Sequence, residues 1–538
     1  MAGTVESSGG PDDALVEALR GLLRARLGRP VRRIDTHISW VLLDGEHAWK
    51  VKKPLRLGFL DFSRIEVRRR CCEEELRLNR RLAPSIYLDV LPVRGSVAAP
   101  RLEPEAGGAS DGAAANDGDG PPIEYVLRMR QFAPGALFSE RLAAGRLAPE
   151  EVDRLALRLA AFHTAAPVAG ADTDFGGAAL VRDTTMDVIA GIESRLRSPE
   201  AHGLGRWCDS QATRLAARFE ARRAGGRVRE GHGDLHLANL VVLDDDVTAF
   251  DCIEFDPGLR WIDVISDIAF VTMDLRAHGR RDLAFRFLDR WLESTGDHDG
   301  LAVLRFYEVH RALVRALVAL IRSGQGGAGG VAPEPDHLGT ARDIAHGADP
   351  RLLVTHGLSG SGKSHVSARL LERAGAIRLR SDVERKRLFG LGALDRTAAL
   401  AATEVYGPET TRRTYARLRE AAREALLAGY PVIVDAAFLR RAEREEFRAL
   451  ARELGAPFTI LECRAHPDVL RQRVRARGER GDDPSEADVA VLERQLADHE
   501  ALGDDELPAA IAIDTAQPVD LDAIAGRWLG ASSRREGS

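Results

Sequence analysis

Residues 357–364, GLSGSGKS, match the phosphate-binding pattern G-x-x-x-x-G-K-[ST] at every fixed position. An apolar, strand-like segment (351–356) precedes this loop, and a helical pattern, HVSARLLERAG, follows it. The order of strand, glycine loop and helix restricts the segment to an α/β architecture in which backbone N–H groups and a helix N-terminus surround phosphates. Lys363 is expected to reach the β and γ phosphates of ATP, and Ser364 to bind Mg²⁺. The predicted nucleotide-binding residues of this loop are Gly357, Ser359, Gly360, Ser361, Gly362, Lys363 and Ser364.

Strand and helix patterns alternate from the loop to the C-terminus, which predicts a parallel sheet covered on both faces. Asp435 ends the apolar segment PVIVD and is a candidate Mg²⁺ carboxylate, with a plain strand-end polar residue as the alternative. Asp382 follows another strand, at the sheet edge where such sites form, and is the candidate for binding or deprotonating an acceptor hydroxyl. Arg473 and Arg477 lie one helical turn apart before a polar segment that resembles a lid. They are candidates for stabilising the transferred phosphoryl group, although a solvated helix face also fits.

A second phosphate-handling pattern occupies residues 231–239, GHGDLHLAN, and is followed by Asp251 after a short apolar strand. This is the H-x-D-x-x-x-x-N and metal-aspartate pairing of the kinase template. Asp234 is predicted to accept the proton of a substrate hydroxyl, and Asn239 and Asp251 to bind Mg²⁺ against the phosphates. A zinc site at His232 and His236 is an alternative, but the glutamate of H-E-x-x-H is missing.

Lysines on a predicted hairpin strand extend this second site. Lys50 and Lys52 are two positions apart in the strand-like segment that follows Asp44-Gly45, so their side chains share one face of the strand. The kinase template places such a lysine on the phosphates and pairs it with a glutamate of the next helix. Lys50 is the first choice for this role, Lys52 is the second, and Glu75 is the predicted partner. A solvated lysine cluster is the other interpretation.

Composition and breaks in the chain suggest its organisation. We expect a first domain at 1–323 with a disordered loop near 103–122, a linker at 324–348, a second domain at 349–530 and a tail at 531–538, because Gly-, Ala- and Pro-rich segments separate the periodic ones.

Charge and hydropathy limit the partners and the cellular location that we expect. The net charge of −6 and the lack of a long basic tract disfavour nucleic acid as a partner. No run of 18 apolar residues and no signal-peptide pattern occur, so we expect a cytoplasmic protein without a membrane partner. The five cysteines have no C-x-x-C spacing, which fits a reducing compartment.

Together these motifs resemble two known families joined in one chain. HGDLHLAN, FDCIEFDP and SDIAF resemble the aminoglycoside phosphotransferase group of kinase-like enzymes, and residues 350–530 resemble small P-loop kinases of the gluconate kinase and polynucleotide kinase type. The order, with phrases such as VKKPLRLGFLDFS, resembles bacterial bifunctional aminoglycoside phosphotransferase/ATP-binding proteins.

The resemblance implies an α+β, bilobal, protein-kinase-like domain followed by an α/β P-loop NTPase domain. It implies two ATP sites with Mg²⁺ and transfer of a γ-phosphoryl group to a hydroxyl of a small metabolite or antibiotic. A nucleotide-sensing regulator and a polynucleotide or nucleoside kinase are the alternatives. Two departures from the protein-kinase pattern stand out: no G-x-G-x-x-G precedes the lysine strand, and Gly233 replaces an arginine in the catalytic loop.

Overall fold

The structure is a computed structural model that describes residues 11–57, 60–102, 120–244, 246–324, 335–395, 405, 407–480 and 483–530. Its contacts divide the chain into two compact units, Met1–Leu147 with Glu230–Ile262 and Ala148–Arg229 with Asp263–Ser538. Residues 103–119 of the predicted loop, 325–334 of the predicted linker and the predicted tail lie outside the described residues. The domain boundaries at 323 and 349 stay a prediction, because contacts alone do not test where an independently folding segment begins.

Strands and helices are numbered here in chain order. The strands are β1 Arg32–Asp35, β2 Ser39–Leu43, β3 His47–Lys52, β4 Arg56–Leu57, β5 Leu60–Asp61, β6 Tyr87–Ser96, β7 Ala99–Leu102, β8 Glu124–Arg130, β9 Val228–Glu230, β10 Leu240–Leu243, β11 Asp246–Ala249, β12 Trp261–Asp263, β13 Arg351–His356, β14 Ile377–Arg380, β15 Pro431–Asp435, β16 Phe458–Arg464 and β17 Ala510–Asp514. The first helices are α1 Pro11–Leu27, α2 Ile65–Asn79, α3 Phe138–Ala143, α4 Pro149–Ala165, α5 Ala178–Glu193, α6 Pro199–Ala224, α7 Pro257–Arg260, α8 Val264–Ala277, α9 Arg281–Thr295, α10 Leu301–Gly324 and α11 His337–His346. The later helices are α12 Lys363–Ala374, α13 Ser381–Arg387, α14 Pro408–Leu427, α15 Arg441–Glu453, α16 Pro467–Arg480, α17 Val489–Asp498 and α18 Leu521–Leu529.

The first unit is built on a six-stranded antiparallel sheet with the order β1-β2-β3-β8-β6-β7. Side chains alternate across β3, so Trp49 and Val51 join the apolar cluster that includes the buried stripe of α1. Lys50 and Lys52 point to the opposite side, towards Glu75 of α2. The sheet therefore separates an apolar layer from a charged one.

The second unit contains the helices α4–α6 and α8–α11 together with a five-stranded parallel sheet of order β14-β15-β13-β16-β17. Strands β13 and β15 are buried almost throughout, as expected of a parallel sheet covered on both faces. In the register of β14 and β15, Arg380 lies opposite Asp435. Two charged residues therefore meet at the carboxyl edge of this sheet.

The predicted fold class is confirmed: a kinase-like α+β part, with its lysine strand and glutamate helix, precedes an α/β P-loop part with a parallel sheet. The hairpin at Asp44-Gly45 is present. The sequence pattern missed the edge strands β1 and β7, which are only four residues long and so give little periodic signal.

Leu353 lies in the middle of β13 with no exposed surface. Leu353→Ala should lower the free energy of unfolding by about 3 kcal/mol, because removing a buried leucine leaves a cavity in a closely packed sheet. Urea unfolding followed by circular dichroism would measure the change. Leu427→Ala is the matched control, since Leu427 is 56% exposed, and equal losses in both variants would contradict the packing described.

Candidate functional sites

A buried group of charged side chains links β3, α2 and the segment after β11 in the first unit. Lys50 Nζ lies 2.7 Å from Glu75 Oε1 and 2.6 Å from Asp251 Oδ1. Lys52 donates to the other oxygen of Glu75, at 2.7 Å, and to Glu254. The structure thus brings the predicted Lys50, Glu75 and Asp251 together and adds Lys52 and Glu254.

Exposure distinguishes the two lysines. Lys50 contacts Asp251, whose side chain is 44% exposed, whereas Lys52 and its partner Glu254 are 1% and 4% exposed. Lys50 therefore lies at the boundary between the buried charges and solvent, and Lys52 is enclosed. Glu254 was missed in the sequence, where its spacing of three from Asp251 gave no signal of its own.

The lysines and carboxylates of this buried cluster shift one another's pKa values. Burial alone would lower the pKa of Lys50, but Asp251 and Glu75 outweigh it and raise that pKa well above its ordinary value. Burial would likewise raise the pKa of Glu75, yet Lys50 and Lys52 bring it down to about 2. For Glu254, burial dominates and raises the pKa above its usual range. Glu75 is thus held ionised between two ammonium groups.

The catalytic-loop pattern folds so that Asp234 and Asn239 touch. Asn239 Nδ2 donates to the carboxylate of Asp234 at 3.0 Å and to the Asp234 carbonyl at 3.0 Å. His236 Nε2 lies 3.3 Å from the same carboxylate, which is 32% exposed. The loop therefore presents one half-exposed carboxylate with a fixed orientation, as a proton acceptor requires.

Backbone hydrogen bonds join the predicted catalytic loop to the segment of Asp251, the predicted metal ligand. Phe250 N–H donates to the Asn239 carbonyl at 3.0 Å, and Ile253 N–H donates to the His232 carbonyl at 3.2 Å. Asp251 itself has a left-handed backbone, with φ of 64°, which is uncommon for a residue other than glycine. Its N–H donates to the Tyr87 hydroxyl at 3.0 Å. The strained residue is the one predicted to bind metal, and its surroundings hold it in place.

Gly233 explains the missing arginine of the protein-kinase pattern. Its φ is 88°, and a Cβ at this position would lie 2.6 Å from the Leu259 carbonyl oxygen. A larger residue would therefore displace the backbone beside Asp234. The glycine is a steric requirement of this loop.

The zinc alternative finds no support in the geometry. His232 Nε2 lies 3.0 Å from the Phe250 carbonyl oxygen, and its Nδ1 accepts from the Asp234 N–H at 3.3 Å. Both ring nitrogens are thus engaged with backbone. Within the described part of the chain, no group of three or more His, Cys, Asp or Glu side chains is arranged to hold a metal ion.

The donor set in the first unit nevertheless fits Mg²⁺ accompanied by a nucleotide. Mg²⁺ is commonly bound by one or two protein oxygens together with substrate phosphates and water. Asn239 and Asp251 supply oxygens on two segments that backbone hydrogen bonds join. Their metal-binding role stays a prediction.

The glycine loop in the second unit has the conformation that its sequence requires. Gly360 and Gly362 have φ of 81° and 83°, in the left-handed region that glycine favours. A Cβ at Gly360 would lie 2.8 Å from the Leu470 carbonyl oxygen. Helix α12 begins at Lys363, so its N-terminus faces the loop. Lys363 Nζ donates to the Leu358 carbonyl at 2.9 Å, and burial lowers its pKa.

A cavity of about 750 Å³ opens beside this loop. Its wall brings together most of the residues predicted for this site, and it adds Arg380, Arg385, Asp483 and Thr515, which were not predicted. Asp382 lies in the first turn of α13, and Asp435 ends β15, where its carboxylate accepts from Ser367 Oγ at 3.0 Å. The predicted site residues in the wall are Ser359, Gly360, Gly362, Lys363, Ser364, Asp382, Asp435, Arg473 and Arg477.

The other two predicted loop residues, Gly357 and Ser361, do not line the cavity. Both are buried, and a Cβ at Gly357 would lie 2.5 Å from the Cys463 carbonyl oxygen. The two arginines of α16 are anchored to the chain: Arg473 donates to the Thr515 hydroxyl at 2.9 Å, and Arg477 to the Ala487 carbonyl at 2.7 Å. Both therefore border the cavity in fixed positions rather than as a solvated helix face, and their role towards phosphate stays a prediction.

Comparisons with known proteins agree with the division into a glycine-loop part and a preceding part. Residues 352–502 match a family described as an AAA domain. An uncharacterized protein of Mycobacterium tuberculosis is 28% identical over 468 residues, which cover 86% of this chain and 90% of that protein. The similarity therefore spans both motifs.

Solved structures align with parts of the chain. A choline/ethanolamine kinase family protein from Mesorhizobium loti covers 62% of this chain and 92% of its own, at 14% identity and a TM-score of 0.35. A sugar kinase from Janibacter sp. HTCC2649 covers 33% of this chain and 94% of its own, at 25% identity and a TM-score of 0.26. In the described residues, no helix combines the length and apolar character needed to cross a membrane.

The ion pairs of Glu75 predict an acid-dependent stability. Its pKa is about 2 in the folded protein against an ordinary 4.5, so its contribution is present above pH 4.5 and is lost as the pH falls towards 2. This contribution amounts to about 3 kcal/mol at neutral pH. The difference in unfolding free energy between wild type and Glu75→Gln should therefore shrink on acidification through this window.

Urea unfolding at a series of pH values would measure that difference. Glu73→Gln on the same helix is the control, because Glu73 is 51% exposed and forms only a surface ion pair. A difference for Glu75→Gln that stays constant between pH 6 and pH 2.5 would contradict the buried pairing.

Proposed function

We propose that this chain is an ATP-dependent phosphotransferase that moves a γ-phosphoryl group to a hydroxyl of a small molecule, with a nucleotide site in each unit. In the first unit, Asp234 orients the acceptor hydroxyl and takes its proton. Asn239 and Asp251 hold Mg²⁺, which neutralises charge on the phosphates. Lys50, fixed by Glu75, contacts the phosphates. The observation that carries this proposal is the Glu75–Lys50–Asp251 contact, since it joins the three elements that a kinase site requires.

In the second unit, the loop at 357–364 holds the phosphates through its backbone N–H groups and Lys363. Ser364 and Asp435 bind Mg²⁺, and Asp382 addresses the acceptor. The cavity of about 750 Å³ supports a small acceptor, because pockets for small molecules have volumes of this order. The acceptor class proposed for both sites is a hydroxylated metabolite or antibiotic.

Transfer of label from γ-labelled ATP to a pool of aminoglycosides, sugars, polyols and nucleosides tests the proposal. Asp234→Ala should reduce transfer at the first site by about 10²- to 10⁴-fold, the range for loss of a general base. Lys363→Ala should reduce transfer at the second site by about 10²-fold or more, since it removes electrostatic stabilisation of the phosphates. A product lost in only one variant assigns that reaction to its unit.

Asp183→Ala, at a side chain that is 66% exposed, serves as the control and should leave transfer unchanged. ADP release without a labelled acceptor in wild type would contradict the phosphotransferase and favour a nucleotide-driven regulator.

The two lysines of β3 should separate catalysis from stability. Lys50→Met should abolish most transfer at the first site, because Lys50 lies at the solvent boundary beside Asp251. Lys52→Met should instead lower the unfolding free energy by about 3 kcal/mol or more, because it leaves Glu254 buried without its cation. Transfer rates and urea unfolding of the two variants would show this, and a larger catalytic loss in Lys52→Met would reverse the assignment.

A further inference from the structure

Helix α9 places two carboxylates against β14, the strand whose carboxyl end borders the cavity of the P-loop site. Arg378 of β14 donates to Asp289 at 2.7 Å and 3.2 Å and lies 3.1 Å from Glu293. Arg380, two residues further along the strand, lies 3.4 Å from the same oxygen of Glu293. The exposed fractions of these four side chains are between 4% and 10%. Glu293 is therefore shared by two buried guanidinium groups.

The far side of Arg380 belongs to the cavity. Its side chain lines the cavity wall, and its Nε lies 3.7 Å from Asp435 Oδ2. Its Nη2 lies 3.8 Å from Asp483, on the segment before α17. Arg378 also donates to the Ser364 carbonyl at 3.4 Å. The two arginines thus connect α9 to Asp435 and to Ser364, the two candidate Mg²⁺ ligands of this site.

Charge explains why Glu293 matters for this arrangement. Burial would raise its pKa, but Arg378 and Arg380 outweigh it and keep the pKa below the usual range, so the carboxylate is ionised. Burial raises the pKa of Asp289 to about 6, although Arg378 opposes this. An arginine cannot give up its proton, so a buried Arg380 without Glu293 would pair more closely with its remaining carboxylates, Asp435 and Asp483. Asp435 would then be occupied by a guanidinium and would bind a cation poorly.

We propose that Glu293 is a positioning residue for the P-loop nucleotide site, holding Arg380 at the cavity wall so that Asp435 stays available for Mg²⁺ and Arg380 faces the phosphates. The proposal rests on the nucleotide function proposed for residues 357–364. It assigns to the second site a residue that the sequence placed in the first domain. Helix α9 thus contributes a positioning residue to the P-loop site.

A second ion pair between α9 and the P-loop part offers a matched control. Arg286 of α9 lies 2.8 Å from Glu372 of α12, with exposed fractions of 26% and 28%. Glu372 is absent from the cavity wall. Glu372→Gln therefore removes one charge pair between α9 and the P-loop part without touching Arg380. If α9 contributed packing alone, both substitutions would act alike.

The experiment measures binding of a fluorescent ATP analogue to the full chain, titrated with Mg²⁺, with Lys363→Ala defining the signal that belongs to the P-loop site. Glu293→Gln should raise the Mg²⁺ concentration needed for half-maximal binding by about tenfold or more, as substitutions behind a metal ligand do. Glu372→Gln should change it less than twofold. Arg380→Lys should behave like Glu293→Gln, because a lysine cannot bridge Glu293 and the cavity in the same way.

Thermal unfolding of each variant separates positioning from folding. If Glu293→Gln does not fold, Glu293→Asp replaces it: the variant keeps the charge, but its side chain is one methylene too short to hold both arginines, so the Mg²⁺ requirement should shift in the same direction. A Mg²⁺ requirement in Glu293→Gln equal to that in Glu372→Gln overturns the positioning role. Wild-type binding that does not depend on Lys363 overturns the proposed nucleotide site and this inference with it.

Discussion

Pairing of buried charges is the constraint on which both candidate sites depend. A carboxylate or an ammonium group taken out of water costs several kcal/mol unless an opposite charge and hydrogen bonds replace the lost solvation. Glu75 has no exposed surface and has a lysine on each oxygen. Neither β3 nor α2 can shift without separating these charges, so the cluster fixes the strand, the helix and the segment around Asp251 relative to one another. The geometry of the proposed phosphate site thus follows from a requirement of folding.

The second unit meets the same constraint with arginine. Arg378 donates two hydrogen bonds to the Asp289 carboxylate, and Arg222 donates two to each of Asp263 and Asp297. A planar guanidinium can satisfy two carboxylate oxygens at once, which a lysine does not. Lysine stands at 50, 52 and 363, where a compact charge lies beside a carboxylate or a loop carbonyl. The chain therefore uses the two cations for different geometries.

Local motifs were predictable from the sequence because their chemistry is carried by adjacent residues. The loop at 357–364 and the catalytic loop at 231–239 each specify a backbone path, and the left-handed glycines 233, 360 and 362 confirm those paths. Alternation along β3 also placed Lys50 and Lys52 on one face. Glu254 and Arg380 could not be found this way, because their partners lie about 200 and 90 positions distant in the chain. Such pairings arise from tertiary packing and leave no local period.

The boundary of a domain and the boundary of a site are different physical quantities. Sequence breaks such as the Gly- and Pro-rich segment at 324–335 mark where the chain cannot bury a core. A site, in contrast, extends as far as charges remain coupled through buried contacts. Asp289 and Glu293 precede that break, yet their carboxylates lie within 3.4 Å of arginines on β14. Cutting the chain at the break would remove Asp289 and Glu293, the carboxylates nearest to Arg378 and Arg380. For the P-loop part, the smallest segment with satisfied charges therefore begins before the break that the sequence shows.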